Sequence, residues 1–164
     1  MVDVESDGPY APKYSMICFG AVFVDNPKLA FYGQLAPISD NWLPEALAVS
    51  GFTRTDTLLF TMAKYVMKQF SDWVERFNVS GRPMFISDNN GYDWSFMNYY
   101  LWEFTGKNVF GHSSTNLGSL YKGLVRDLHK NFKHLRETKH THNPVDDCMG
   151  NVEAFKKMWE MGLK

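Results

Sequence analysis

Apolar and polar positions alternate from the first residues of the chain. Val2 and Val4 are separated by Asp3 and Glu5, and the pattern then breaks into Ser6, Asp7, Gly8 and Pro9. A period of two predicts a short β-strand with both valines on one face and both acids on the other. After the turn-rich stretch from Gly8 to Tyr14, the apolar run from Met16 to Val24 predicts a buried strand. Asp25-Asn26-Pro27-Lys28 reads as a tight turn, and Leu29 to Leu35 supplies an antiparallel partner. Further on the period lengthens. Pro44 at a first helical position opens a short helix that Gly51 ends. Leu58, Leu59, Met62, Tyr65, Val66, Phe70, Trp73 and Phe77 recur at helical spacing. They predict one helix from about Thr57 to Phe77, capped by Asp56, with that stripe facing a core.

Met84 to Ser87 predicts a short buried strand. The helix after it carries Trp94, Phe96, Met97, Tyr100, Leu101 and Phe104 and closes at Gly106. Asn116 to His129 predicts another helix, the basic tract Lys130 to His140 a loop, and Asn143-Pro144 the start of a last helix. That helix turns Val145, Met149, Val152, Phe155 and Trp159 inward. The order β-β-β-α-α-β-α-α-α is that of an α/β domain, a mixed sheet flanked by helices.

Length and composition narrow the class. A chain of 164 residues is expected to form a single domain, 1–164, and 45% apolar with 16% aromatic residues excludes disorder. A net charge of −1 offers a polyanion no general attraction, so such a substrate needs a local patch or metal ions. Cys18 and Cys148 lie far apart in apolar segments and read as buried, reduced thiols of a cytoplasmic protein. No apolar run approaches the roughly 18 residues that span a bilayer, and the acidic N-terminus is unlike a signal peptide. No membrane partner is expected.

Three places carry candidate chemistry. Asp3 and Glu5 on one strand face repel each other and lose hydration unless a cation neutralises them. Hard oxygen donors point to Mg²⁺ or Mn²⁺, and a solvated acidic edge strand is the plain alternative. Asp93 lies just past the C-terminal end of a buried strand, where open α/β sheets bind ligands; an ordinary first-turn acid is the alternative there. In His142-Asn143-Pro144-Val145-Asp146-Asp147, the proline fixes a helix start. His142 then sits just before the first turn, and Asp147 one turn later can face the same side. A histidine at the rim of a carboxylate cluster suits hydrolysis, although Asp146 and Asp147 also read as ordinary first-turn acids.

In this order, the three segments resemble the DnaQ-like 3′–5′ exonucleases of the DEDDh group. Val2-Asp3-Val4-Glu5-Ser6-Asp7-Gly8 resembles the first motif, and Asp88-Asn89-Asn90-Gly91-Tyr92-Asp93 the second, usually His-Asn-x-x-Phe-Asp. His142 to Asp147 resembles the third, whose final acid selects Asp147 over Asp146. Asp88 departs from the usual histidine, Tyr92 from phenylalanine and Cys148 from alanine. The resemblance runs from residue 2 to about 158. It implies a ribonuclease H-like fold with a mixed central sheet, a three-strand antiparallel opening plus parallel strands flanked by helices.

The same resemblance implies hydrolysis of terminal phosphodiester bonds at the 3′ ends of single-stranded nucleic acid, releasing nucleoside 5′-monophosphates. RNA is favoured over DNA, because small stand-alone members are often RNases. Asp3, Glu5, Asp93 and Asp147 would hold two divalent cations, Mg²⁺ or Mn²⁺, with Asp3 bridging and His142 as general base. Ser6, Asp7 and Gly8 fall where family members bring backbone close to the terminal nucleotide, and Asn89 joins them as a substrate contact. Tyr10, Trp94 and Phe96 are candidates for base stacking, with core packing the alternative for the last two. Lys122, Arg126, Lys130, Lys133, Arg136 and Lys139 form a local positive tract leading to His142, suited to a strand backbone. Family members often dimerise, and the aromatic content permits a homodimer. The rivals are a transition-metal site from His134, His140 and His142, a catalytically idle nucleic-acid-binding or accessory module on the same fold, and a structural interaction protein.

Overall fold

The computed structural model describes residues 1–164. Three antiparallel strands, β1 (Val2–Ser6), β2 (Met16–Val22) and β3 (Ala30–Gln34), pair in the order β1-β2-β3. The register sets Asp3 opposite Gly20 and Glu5 opposite Cys18. Two short helices, α1 (Pro44–Val49) and α2 (Arg54–Leu58), lead to α3 (Ala63–Phe77). Next come β4 (Phe85–Ser87), α4 (Asn90–Thr105) and β5 (Ser114–Asn116), which pairs parallel to β4. The chain ends with α5 (Leu117–Val125), a 3-10 turn at Lys133–Leu135 and α6 (Pro144–Glu160).

β4 lies beside β1, so the antiparallel trio and the parallel pair make a mixed layer. Helices cover both faces of it. Val2 and Val4 pack with Phe19, Phe70, Met97 and Tyr100 on the side of α3 and α4. Met1 packs instead with Leu117, Cys148, Val152 and Phe155 on the side of α5 and α6. Because strand side chains alternate, the odd positions of β1 face α6, and Asp3 and Glu5 share that face. Two carboxylates are therefore directed under the start of α6.

The expected helix from Thr57 to Phe77 is two helices. Thr53 and Asp56 form a capping box, so Asp56 is the third residue of α2 and caps no longer helix. Thr61 then pairs with Leu35, its carbonyl accepting the Ala36 N–H at 2.8 Å. That long-range bridge needs extended backbone where the helix would have continued. Leu58, Leu59 and Met62 are exposed in consequence, and Tyr65, inside α3, is exposed as well. From α3 onward the helical stripe holds, with Val66, Met67, Phe70 and Val74 buried; truncating a buried ring such as Phe70 costs about 3–5 kcal/mol.

β5 was not expected, because Ser114-Thr115-Asn116 carries no apolar signal; α5 starts after it and stops at Val125, where Arg126 takes φ 57°. Phe132, in the tract expected as a loop, is buried, while Trp159 near the end of α6 is partly exposed. Gly106 closes α4 at φ 69°, a left-handed conformation that glycine adopts without a Cβ clash. No helix is long and apolar enough to cross a membrane.

Candidate active site

Four carboxylates meet between β1, α4 and the start of α6. One oxygen each from Asp3, Glu5 and Asp147 lies within 4.8 Å of the other two. Asp93, in the first turn of α4, accepts the Val4 N–H at 3.2 Å on Oδ1, while its Oδ2 is buried without a hydrogen-bond partner. The Val4 N–H is thereby taken by Asp93 where a strand would otherwise continue the ladder.

The start of α6 is set by local chemistry. The Asn143 side chain accepts N–H bonds from Val145 and Asp146, and Pro144 supplies a preformed first helical residue. Asp147, buried, then accepts the Thr141 N–H on Oδ1 at 3.0 Å and the His142 N–H on Oδ2 at 3.1 Å. Those bonds hold His142 at φ 61°, a left-handed conformation costing a non-glycine residue about 1–2 kcal/mol. The half-exposed ring places Nδ1 3.5 Å from Glu5 Oε1.

Gly20 allows α6 to come this close. A Cβ there would meet the Pro144 backbone and come within 2.6 Å of Val145 N. Gly20→Ala is expected to cost about 1–3 kcal/mol by overpacking. The part forced to move carries His142 and Asp147, so the activity that the motif resemblance implies should fall with the melting temperature. Normal activity and stability in this variant would show that the close approach is dispensable.

The segment before α6 is strapped along it. Glu153 accepts the N–H groups of Glu137 and Thr138 and the Thr138 hydroxyl at 2.7–2.8 Å. Arg136, mostly buried, pairs with Asp88 at 2.8 Å and donates to Asn151 Oδ1. Each departure from the family motifs has a partner here. Asp88 answers Arg136, the Tyr92 hydroxyl hydrogen-bonds the Ser6 hydroxyl, and the Cys148 thiol lies 3.4 Å from the Gly20 carbonyl oxygen.

The electrostatics are those of uncompensated negative charge. Burial, then Asp93, Glu5 and Asp147, hold the Asp3 carboxyl well above its usual range, with Arg136 opposing. Burial, then Asp147, pushes Glu5 up to about 7. Burial likewise raises Asp93 to about 7, against the pull of Ser87 and the Val4 N–H. An orphaned oxygen and three carboxyls that resist ionisation form the all-oxygen donor set that a hard divalent cation takes.

This makes a stability prediction for the protein without metal. Unfolded, Glu5 and Asp93 lose their protons near 4.5 and 3.8; folded, both keep them to about 7. The folded state binds more protons across that window, so stability is full below pH about 4 and falls as pH rises towards 7. The melting temperature in EDTA is expected to fall by at least about 5 °C between pH 5 and pH 8, and Mg²⁺ should flatten the curve. A flat profile in EDTA would contradict the strained cluster.

The remaining sequence candidates are placed less openly. Asp7 is fully buried, accepting the Ser15 N–H at 2.6 Å and pairing with Arg54 at 2.9 Å, so it anchors the first loop. Ser6 and Gly8 are buried, and Gly8 makes room for the Tyr14 ring. Phe96 lies wholly in the core beside Tyr92, because α4 turns positions 93, 96, 97 and 100 inward. Asn89 is exposed at the cap of α4, its side chain making no capping bond. Tyr10 is half exposed, and Trp94 packs on Phe85. Of the basic tract, Lys130, Lys133 and Lys139 are exposed, whereas Arg136 is spent on Asp88. The rival grouping of His134 with His140 and His142 does not form, since His134 stacks edge-on to Tyr121. His140, which the sequence singled out only in that grouping, places Nδ1 2.8 Å from Asp147 Oδ1. An apolar cavity of about 350 Å³ between Met1, Trp73, Met84 and Trp159 lies away from all of these residues.

No family model matches the chain. The 3′-5′ DNA exonuclease Cap18 of Escherichia coli is 30% identical over 175 residues, covering 99% of this chain and 92% of that protein. Among solved structures, cell-death related nuclease 4 (CRN-4) matches with a TM-score of 0.76 at 16% identity over 98% of this chain. The chain spans 63% of CRN-4. The nuclease domain of 3′hExo, a DEDDh family member bound to rAMP, matches with a TM-score of 0.75 at 14% identity, over 98% of this chain and 90% of that one. At those identities the two structures speak for the fold.

Proposed function

The chain belongs to the DnaQ-like DEDDh family of 3′–5′ exonucleases, with its ribonuclease H-like fold, and on that premise we propose that it removes nucleotides one at a time from the 3′ end of single-stranded DNA. The observation that carries the reading is the convergence of Asp3, Glu5 and Asp147 oxygens within 4.8 Å, with His142 Nδ1 3.5 Å from Glu5. Small size alone favours RNA. The 30%-identical relative is named a DNA exonuclease, and that supports DNA.

Asp3, Glu5, Asp93 and Asp147 would hold two divalent cations, Mg²⁺ or Mn²⁺. Bound there, such ions supply Lewis-acid charge to phosphoryl oxygens. The chain's own groups do the rest. With Nδ1 turned to Glu5, His142 has Nε2 left to take the proton of the attacking water. The water oxygen bonds to the terminal phosphorus, the bond from phosphorus to the 3′ oxygen breaks, and that oxygen takes a proton from solvent to become the new 3′-hydroxyl. Nucleoside 5′-monophosphate is the other product. Thr141 and His142 N–H groups keep Asp147 oriented. Lys130, Lys133 and Lys139, exposed on the segment that leads to His142, hold the strand backbone. The two free, buried thiols support a reducing, cytoplasmic setting.

The test is a time course on 5′-labelled single-stranded DNA and RNA of matched sequence, with Mg²⁺, with Mn²⁺ and with EDTA. A ladder shortening from the 3′ end, faster on DNA and absent in EDTA, is the expected result. A faster RNA ladder would reverse the substrate assignment. No cleavage with either metal would favour an idle binding module on the same fold.

A further inference from the structure

Asp147 belongs to two groups of donor atoms. With Asp3 and Glu5 it forms an all-oxygen trio; with His140 and His142 it forms a second, whose donor atoms also lie within 4.8 Å of one another. We propose that the second trio is an inhibitory binding site for a borderline-soft divalent cation of the Zn²⁺ class.

The donor chemistry separates the two trios. Mg²⁺ takes oxygen donors and binds imidazole poorly, whereas two imidazoles and a carboxylate, with water as fourth ligand, are a common Zn²⁺ set. The geometry is close to what such an ion needs. His140 Nδ1 stands 2.8 Å from Asp147 Oδ1, and the two imidazole centroids are 4.3 Å apart at an interplanar angle of 62°. Tetrahedral bonds of about 2.05 Å put donor atoms about 3.3 Å apart, which small side-chain rotations supply. Both rings are half exposed and free to make them. The carboxylate is already oriented, since the Thr141 and His142 N–H groups each hold one of its oxygens. His140 lies outside the three motifs, yet its Nδ1 already meets Asp147 Oδ1 at the edge of the carboxylate cluster.

Occupation of the trio has a direct consequence. A His142 nitrogen bound to the cation cannot accept a proton, and an Asp147 oxygen bound to it is not free for a cation held with Asp3 and Glu5. Zn²⁺ thus opposes Mg²⁺ through a shared ligand. The inhibition rests on the nuclease reading above; the binding does not.

Co²⁺ serves as the spectroscopic probe, because four-coordinate Co²⁺ absorbs visible light far more strongly than six-coordinate Co²⁺. The full chain in saturating MgCl₂ is titrated with CoCl₂. One equivalent is expected to give an intense visible band that ZnCl₂ displaces. His140→Ala should weaken cobalt affinity at least about tenfold, while Asp3→Asn, which alters the oxygen trio alone, should keep the band. Unchanged cobalt affinity in His140→Ala, or loss of the band in Asp3→Asn, overturns the site. In parallel, exonuclease rates in MgCl₂ are measured against added ZnCl₂, each variant normalised to its own zinc-free rate. The half-inhibiting zinc concentration should rise at least about tenfold in His140→Ala; equal sensitivity overturns the inhibitory role. A chain with no nuclease activity would strike at the exonuclease reading and favour the idle module, and the cobalt spectrum would still decide the site.

Discussion

Asp3→Asn should lower exonuclease activity at least about 10³-fold, a loss of about 4 kcal/mol of transition-state stabilisation, while raising the melting temperature of the metal-free protein at pH 8. Both effects come from the same placement. Asp3 sits on the α6-facing side of β1 among Glu5, Asp93 and Asp147, and burial and those three charges all disfavour its ionised form. Arg136 alone offsets them. A carboxylate in that position destabilises the fold unless a cation meets it, so the amide should relieve the metal-free protein and cripple the loaded one. Asp147→Asn should behave differently. An amide keeps one oxygen for the Thr141 or His142 N–H and loses the other, so the segment carrying His142 loosens. Activity and melting temperature should then fall together. The comparison needs rates in Mg²⁺ and Mn²⁺ beside melting curves in EDTA. Wild-type rates in Asp3→Asn would remove it from the metal set, and a lower melting temperature would contradict the charge argument.

Much of this arrangement was legible because local signals carried it. The alternation of Val2-Asp3-Val4-Glu5 announced a strand with a charged face, and the structure puts that face under α6. Asn143-Pro144 and Gly106 marked helix ends by backbone chemistry that needs no partner. Where the sequence misled, the deciding contact was remote. The pairing of Leu35 with Thr61 breaks a helix whose own stripe continued through the break. The polar strand Ser114–Asn116 exists because β4 offers it an edge. The same division runs through the site. Motif order singled out Asp3, Glu5, Asp93, His142 and Asp147, but proximity in sequence could not tell that Asp7 turns to Ser15 and Arg54 or that Phe96 turns inward. Gly20 against Pro144, and Asp88 against Arg136, join residues far apart in the chain. No spacing rule encodes such pairs.

His142→Ala should slow hydrolysis about 10²–10⁴-fold, the usual worth of a positioned general base, with divalent binding to the carboxylates retained. The substitution removes a half-exposed ring, and the bond that helps hold Asp147 comes from the His142 backbone N–H, which alanine keeps. Alanine, however, is less tolerant of the left-handed backbone at this position, φ 61°. Asparagine adopts that conformation more readily, so His142→Asn separates the ring from the backbone. If the ring is the base, both variants lose activity alike and regain part of it at higher pH, where hydroxide takes over the base's role. If the alanine defect arises from a displaced Asp147, the asparagine variant recovers most of the rate. Rates for both variants within about threefold of wild type would reject the base assignment. Metal titration of the two variants completes the comparison, since a lost base leaves the carboxylate cluster intact and a displaced segment does not.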